Sequence, residues 1–315
     1  MHTEKLSKRT GKAKTQIGCR LLLPLLGFGR LNEQEGQDPM TYRNPIREQA
    51  AAKAAEVLMQ RFGIETAFDK PKIGLVLGTG WGDTFHPVDQ QRCSFQEIDG
   101  LGGLDVLAGH ARKVVYGSVH GNPVIALSGR IHMNESPSPE HGDKVRLHIE
   151  MLARLGVKKF IFTAAVGSLT AKIPVGSIVG VDGFVTLYAP DMPLKTGEFV
   201  SPEDMLIKSS AANTAAKLNN LEYCTGGHVM VRGPFFEGRK YDKRLLAASG
   251  ASVVGMSILP ETCVAALYDI PVLALGFVTN TAVEEHSHKT NQERSKNAAK
   301  KLGEFLDTLI SFTTA

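Results

Sequence analysis

Cysteine is scarce and scattered in this chain: Cys19, Cys93, Cys224 and Cys263 lie far apart and form no Cys-x-x-Cys pair. That spacing argues against a disulfide scaffold and a zinc site, and leaves free thiols of a cytoplasmic protein as the expectation. An excess of one charge is also missing. The 36 basic and 32 acidic residues leave a formal +4, too little and too dispersed to mark a nucleic-acid binder. The apolar stretch at residues 21–28 is broken by Pro24 and Gly27, and falls far short of the about 20 residues that span a bilayer. No A-x-A-like cleavage site follows it, so neither a membrane anchor nor a secretory leader is expected. The G-x-x-x-x-G-K-[ST] phosphate loop is absent. The string Gly78-Thr79-Gly80-Trp81-Gly82 lacks the third glycine of a dinucleotide fingerprint, because position 83 is Asp83.

What is present is a globular composition, 315 residues with 43% hydrophobic content, enough for a substantial core. Residues 1–39 open with a basic head and are expected to be a disordered extension, with the domain proper running over 40–315. Helical spacing of apolar residues over 42–62, closed by Gly63, predicts a first helix. Further helices are predicted over 144–155, 202–218, 240–248, 260–268 and 291–311. Short apolar runs at 72–77, 113–119, 124–127, 160–163, 177–185, 228–231 and 272–278 predict strands between them. Strands and helices mixed in this order predict one α/β domain with a central mixed β-sheet flanked by helices.

Six segments put polar or small residues at the edges of apolar runs. The glycine turn around Thr79 follows the first strand and suits the approach of backbone amides to an anion. Ser128-Gly129-Arg130-Ile131-His132 sets Arg130 and His132 on one side of an extended backbone, a fork and a ring both able to donate to phosphate oxygens. Thr163-Ala164-Ala165-Val166-Gly167-Ser168-Leu169 is a small-residue stretch at a strand end. Gly233-Pro234-Phe235-Phe236-Glu237 joins an aromatic shelf to a carboxylate able to accept from a heterocycle. Lastly, the segments 254–261 and 276–282 carry Ser257 and Asn280, the latter offering the donor and acceptor that a purine edge requires.

Taken in order, from about residue 72 to 282, these segments resemble the purine nucleoside phosphorylase family, in its commonly trimeric type that includes methylthioadenosine phosphorylase. Ala108-Gly109-His110-Ala111 strengthens the likeness. The resemblance implies a phosphate site of Thr79, Arg130, His132, the backbone of Ala165 and Ser257, with His110 on a loop beside it. It implies a nucleoside pocket of Phe236, Glu237, Val254, Met256 and Asn280, and places His228 where a sugar-side tyrosine is common. Asn280, His110 and Glu237 are the candidate catalytic residues. Inorganic phosphate would be the co-substrate, with no other cofactor and no metal, and the chain would be a homo-oligomer, a trimer by resemblance.

The implied reaction is attack of phosphate on C1′ of a purine (deoxy)ribonucleoside through an oxocarbenium-like transition state, releasing the base and a sugar 1-phosphate. Glu237 accepting the N1 hydrogen and Asn280 meeting N7 favour 6-oxopurines such as inosine and guanosine. Several positions depart from the family pattern. Ala164 replaces a pocket asparagine, Asn134 a tyrosine, and Gln292 stands where a histidine often meets the sugar 5′-hydroxyl, with His286 and His288 nearby in sequence. The Ala165–Leu169 ending favours a methylthioadenosine or other modified-nucleoside phosphorylase as the alternative. A non-catalytic purine-binding homologue is the alternative of another class, and would bind nucleoside without phosphate-dependent release of base.

Overall fold

The computed structural model describes residues 43–82, 84–104, 111–136, 138–186, 192–231, 241–281 and 287–313. Thr41–Ala315 forms one compact unit. Its first helix, α1 (Pro45–Phe62), starts where the Asn44 side chain accepts from the backbone N–H groups of Ile46 and Arg47, and Pro45 occupies a position whose missing N–H costs nothing. It stops at Gly63, whose φ of 64° is the left-handed cap that favours glycine. Its buried stripe is Ala51, Ala54, Ala55, Leu58 and Phe62.

The strands are β1 (Ile73–Leu77), β2 (Val88–Ser94), β3 (Lys113–Val119), β4 (Asn122–Ser128), β5 (Lys159–Ser168), β6 (Ile178–Val185), β7 (Tyr223–Met230), β8 (Val253–Gly255) and β9 (Val272–Thr281). They form one mixed sheet in the order β2-β3-β4-β1-β5-β8-β7-β6-β9. Because β9 also pairs in parallel with β5, the strands β5, β8, β7, β6 and β9 close into a ring. The remaining helices are α2 (Pro139–Leu155), α3 (Ser210–Leu218), α4 (Asp242–Ala248), α5 (Leu259–Ala266) and α6 (His288–Thr313).

Strand alternation sorts the core into two layers. In β5, Phe160, Phe162, Ala164 and Val166 pack with α1, α2 and α5, while Ile161 packs on the opposite side with α3 and α6. In β9, Val272, Ala274 and Val278 join the first layer, and Leu273, Leu275 and Phe277 the second. Two strands were not expected from sequence. β2 is exposed at five consecutive positions, and β8 is only three residues long. The single helix expected over 202–218 is instead a 3-10 turn at Pro202–Met205 followed by α3. Between them, Leu206 bridges to Val272 and Ile207 N–H donates to Val272 O, so sheet pairing overrides helix propensity there. The helix expected over 144–155 starts earlier, because the Ser138 hydroxyl caps α2 and Pro139 begins it. No helix of the described residues is long and apolar enough to cross a membrane.

Candidate active site

Parallel strands β4, β1, β5 and β9 deliver their carboxyl ends to one edge of the sheet, the place where open α/β sheets bind ligands. Thr79 follows β1, Arg130 and His132 follow β4, Ala165 lies within β5, and Asn280 lies near the end of β9. Strand β8 runs antiparallel to β5, with Val253 opposite Ser168 and Val254 opposite Gly167, so the chain returns along β5 toward Ala165 as it reaches Met256 and Ser257. Of the predicted site residues, Thr79, Arg130, His132, Ala165, His228, Val254, Met256, Ser257 and Asn280 thus lie on contiguous strands or within four residues of their ends. The small-residue stretch is not a strand end: β5 continues to Ser168.

The glycine turn is dictated by crowding. A Cβ on Gly78 would stand 2.6 Å from the carbonyl oxygen of Thr163 and 3.1 Å from Cα of Ala164. Gly80 adopts φ +84°, and the Ser295 side chain of α6 fills the space a Cβ would need. The Thr163 hydroxyl accepts from Gly78 N–H at 3.2 Å, and Ser128 Oγ donates to Gly82 O at 3.2 Å, so the turn is tied to both neighbouring strand ends. Thr79 is half-buried at its tip.

Arg130 is wholly buried. One of its terminal nitrogens donates to the carbonyls of Val76 and Thr163, and its Nε lies 3.3 Å from Oε1 of Glu261, a buried residue in the first turn of α5. Burial lowers its pKa and the Glu261 charge opposes that shift. Arginine titrates so high that it stays cationic. His148 of α2 is also buried; burial pushes its pKa down to about 4, partly offset by Glu261, so it is neutral.

His132 is held from three directions. Its backbone N–H donates to Glu135 Oε1 at 2.8 Å, its Nδ1 lies 3.0 Å from the same oxygen, and its carbonyl meets Nε2 of His141 at 2.7 Å. Oε2 of Glu135 pairs with Arg112. Burial works against ionisation of Glu135, but the hydrogen bonds from His132 and the charges of His132 and Arg112 bring its pKa down to about 2. Glu135, Arg112, Glu261 and His148 were not singled out from sequence. Glu135 and Glu261 each stand three or four residues beyond a candidate, His132 and Ser257, but a bare carboxylate at that spacing reads as solvated surface.

Near the carboxyl end of β5, Gly167 pairs with Asn280 on one side and Val254 on the other. A Cβ there would stand 2.9 Å from Asn280 Nδ2 and 3.3 Å from Val254 Cγ1, so glycine lets both side chains converge. Asn280 is buried and its Oδ1 accepts from the Thr279 hydroxyl at 3.1 Å. His228 is fully buried, and neither ring nitrogen has a hydrogen-bond partner among the described residues. Burial, with a smaller push from Arg130, lowers its pKa to about 4. Its ring lies against Gly255, where a Cβ would come within 2.7 Å of Nε2, and edge-on to Phe184 with centroids 6.0 Å apart. A buried neutral imidazole with both nitrogens unsatisfied is a costly arrangement that a ligand hydroxyl or water would relieve.

Ser257 sits before a strained turn. Ile258 has φ 75° and ψ −57°, a conformation rare for a β-branched residue, closed by Leu259 N–H donating to Ser257 O at 3.0 Å. The Ile258 side chain is buried in the core, which holds the strain in place. His110, Phe236, Glu237 and His286 lie outside the described residues, as does the side chain of His288.

The sequence pattern of the phosphorylase superfamily matches residues 72–311. Rat purine nucleoside phosphorylase is 29% identical over 261 residues, 76% of this chain and 89% of the rat protein. The Mycobacterium tuberculosis purine nucleoside phosphorylase is 28% identical over 273 residues, 85% of this chain and 97% of that protein. Among solved structures, the Schistosoma mansoni purine nucleoside phosphorylase in complex with adenosine aligns with a TM-score of 0.72 at 23% identity, covering 83% of this chain and 96% of that one. The same enzyme in complex with inosine gives 0.72 at 23%, covering 83% and 95%. With the matched segment running from the threshold of β1 to the last turns of α6, and so containing every strand of the sheet and all the site residues placed above, the chain belongs to the phosphorylase superfamily.

Proposed function

We propose that this protein is a purine nucleoside phosphorylase acting on 6-oxopurine nucleosides, with inorganic phosphate as co-substrate and no further cofactor. The observation that carries the reading is the organisation of β5. Arg130 is bonded to the carbonyl of Thr163, and Asn280 packs against Gly167 four residues on, about 13 Å along a strand that rises about 3.3 Å per residue. One strand therefore spaces a buried cation from a buried carboxamide, with the half-buried Ala165 between them.

In this reading phosphate, held by Arg130, His132, Thr79, Ser257 and the Ala165 backbone, attacks C1′ as the bond to N9 breaks and its electron pair leaves with the purine. The anion beside C1′ stabilises the oxocarbenium-like sugar. The Asn280 carboxamide donates to N7 of the departing base, and Glu237 accepts the N1 hydrogen that hypoxanthine and guanine carry and adenine lacks. Rat and M. tuberculosis relatives named as purine nucleoside phosphorylases support the reaction class. Asn280 supports the choice of base, since relatives specialised for methylthioadenosine typically carry Asp there.

The test is release of free base from inosine, guanosine, xanthosine, adenosine and methylthioadenosine, each with and without phosphate. Phosphate-dependent release, with inosine and guanosine giving the highest kcat/KM, is expected. Nucleoside binding without phosphate-dependent release would overturn the activity, and a higher kcat/KM for adenosine or methylthioadenosine would overturn the specificity.

A further inference from the structure

We propose that Arg112 is a positioning residue of the anion site, acting through Glu135 to hold His132 in its working orientation. The inference rests on the phosphorylase reading above and adds to it a residue that acts through another side chain, Glu135.

Arg112 immediately precedes β3 and is buried. Its φ of +50° lies in the left-handed region, where a non-glycine residue is held only by its surroundings. Its backbone carbonyl accepts from Phe95 N–H at 2.9 Å, which anchors the main chain independently of the side chain. The guanidinium reaches Glu135 and takes Oε2. That leaves Oε1 to receive both the backbone N–H of His132 at 2.8 Å and its Nδ1 at 3.0 Å. One carboxylate oxygen thus faces each partner.

Two consequences follow for an anion held by His132. With Nδ1–H donated to the carboxylate, the ring plane is fixed and Nε2 is turned away from Glu135; an Nε2–H given to phosphate then belongs to a ring that carries a proton on both nitrogens. A carboxylate this close to an anion site would also repel phosphate unless neutralised, and Arg112 supplies the compensating charge. Loss of Arg112 therefore frees the carboxylate to swing and exposes its charge. Both effects weaken phosphate and neither touches the purine end of β5.

Arg112→Gly is the informative variant, because glycine adopts this backbone conformation without strain and the Phe95 hydrogen bond needs no side chain. At saturating inosine its KM for phosphate is expected to rise about tenfold or more, the scale of a lost charged hydrogen bond. Its KM for inosine at saturating phosphate should stay within about threefold of wild type. Arg112→Lys, which keeps the charge without the fork, should recover part of the loss. A phosphate KM within twofold of wild type, an equal rise in both KM values, or no recovery in Arg112→Lys would each overturn the inference. If Arg112→Gly does not fold, Arg112→Gln is read by the same criteria. Absence of phosphate-dependent base release in the wild-type protein would overturn the phosphorylase reading and this inference together; normal wild-type turnover with an unchanged variant would overturn this inference alone.

Discussion

Replacing Glu261 by Gln removes the counter-charge of a fully buried arginine while keeping the side chain's shape. Arg130 Nε and Glu261 Oε1 are 3.3 Å apart, and both side chains are almost fully excluded from solvent. At an effective dielectric of about 20 their attraction is roughly 5 kcal/mol. That attraction offsets the cost of taking two charges out of water, so the pair's net contribution is small, but breaking it strands one charge, at a cost of about 3–5 kcal/mol. For a domain of this size that corresponds to a fall in Tm of roughly 10 °C. The assay is thermal or urea unfolding of wild type, Glu261→Gln and the apolar double variant Arg130→Met with Glu261→Leu, all without phosphate. The double variant removes both charges and should lie within about 2 kcal/mol of wild type. A single variant costing less than about 1 kcal/mol, or a double variant as damaged as the single, would refute the argument that these two groups neutralise each other.

Acid should destabilise the fold earlier than carboxylate titration alone would. His148 and His228 fall to about 4 in the folded protein, below the ordinary 6.5, so the unfolded chain binds more protons between those values and stability drops as pH falls from about 6.5 to 4. Each should remove about 2 kcal/mol between pH 7 and pH 5; urea midpoints that agree at the two pH values would refute this. Glu135 adds its own loss only below about pH 4.5, complete near pH 2. Gly167→Ala should press a methyl group against the Asn280 carboxamide, lowering kcat for inosine by about 10–100-fold with phosphate KM little changed; steady-state kinetics at saturating phosphate would show it, and unchanged kcat would count against Asn280. Gly78→Ala meets backbone atoms that cannot yield, and should cost about 1–3 kcal/mol in urea unfolding, whereas a neutral substitution would mean the turn is looser than its contacts imply.

The parts of the fold that sequence disclosed were those whose residues repeat a period or stop at a glycine. α1 is announced by its alanine stripe and Gly63, and β1, β4 and β9 by apolar runs buried on both faces. β2 is a polar edge strand whose pairing with β3 leaves no hydrophobic trace, and β8 exists because β5 and β7 flank it. In the candidate site, Arg130, His132 and Asn280 stood out in the sequence because each lies at the edge of an apolar run with a side chain of specific donor geometry. Their supports were not. Glu261 and Glu135 become informative only once the chain has folded and removed them from water, and Arg112 looks like any surface arginine until its backbone angle and its partner are known.

Those supports change what the anion end of the site is. Arg130 is balanced by Glu261 and Arg112 by Glu135, so these two ion pairs bring no net charge to the anion end of the site. Under the proposed function, phosphate is then recognised by directed donors in a dry setting, where each hydrogen bond is worth more than it would be in water, rather than by a net positive field. Long-range steering of the anion should be weak. Its KM should accordingly change little between low and moderate ionic strength, in contrast to a site built on unpaired lysines, whose affinity falls steeply as salt screens it.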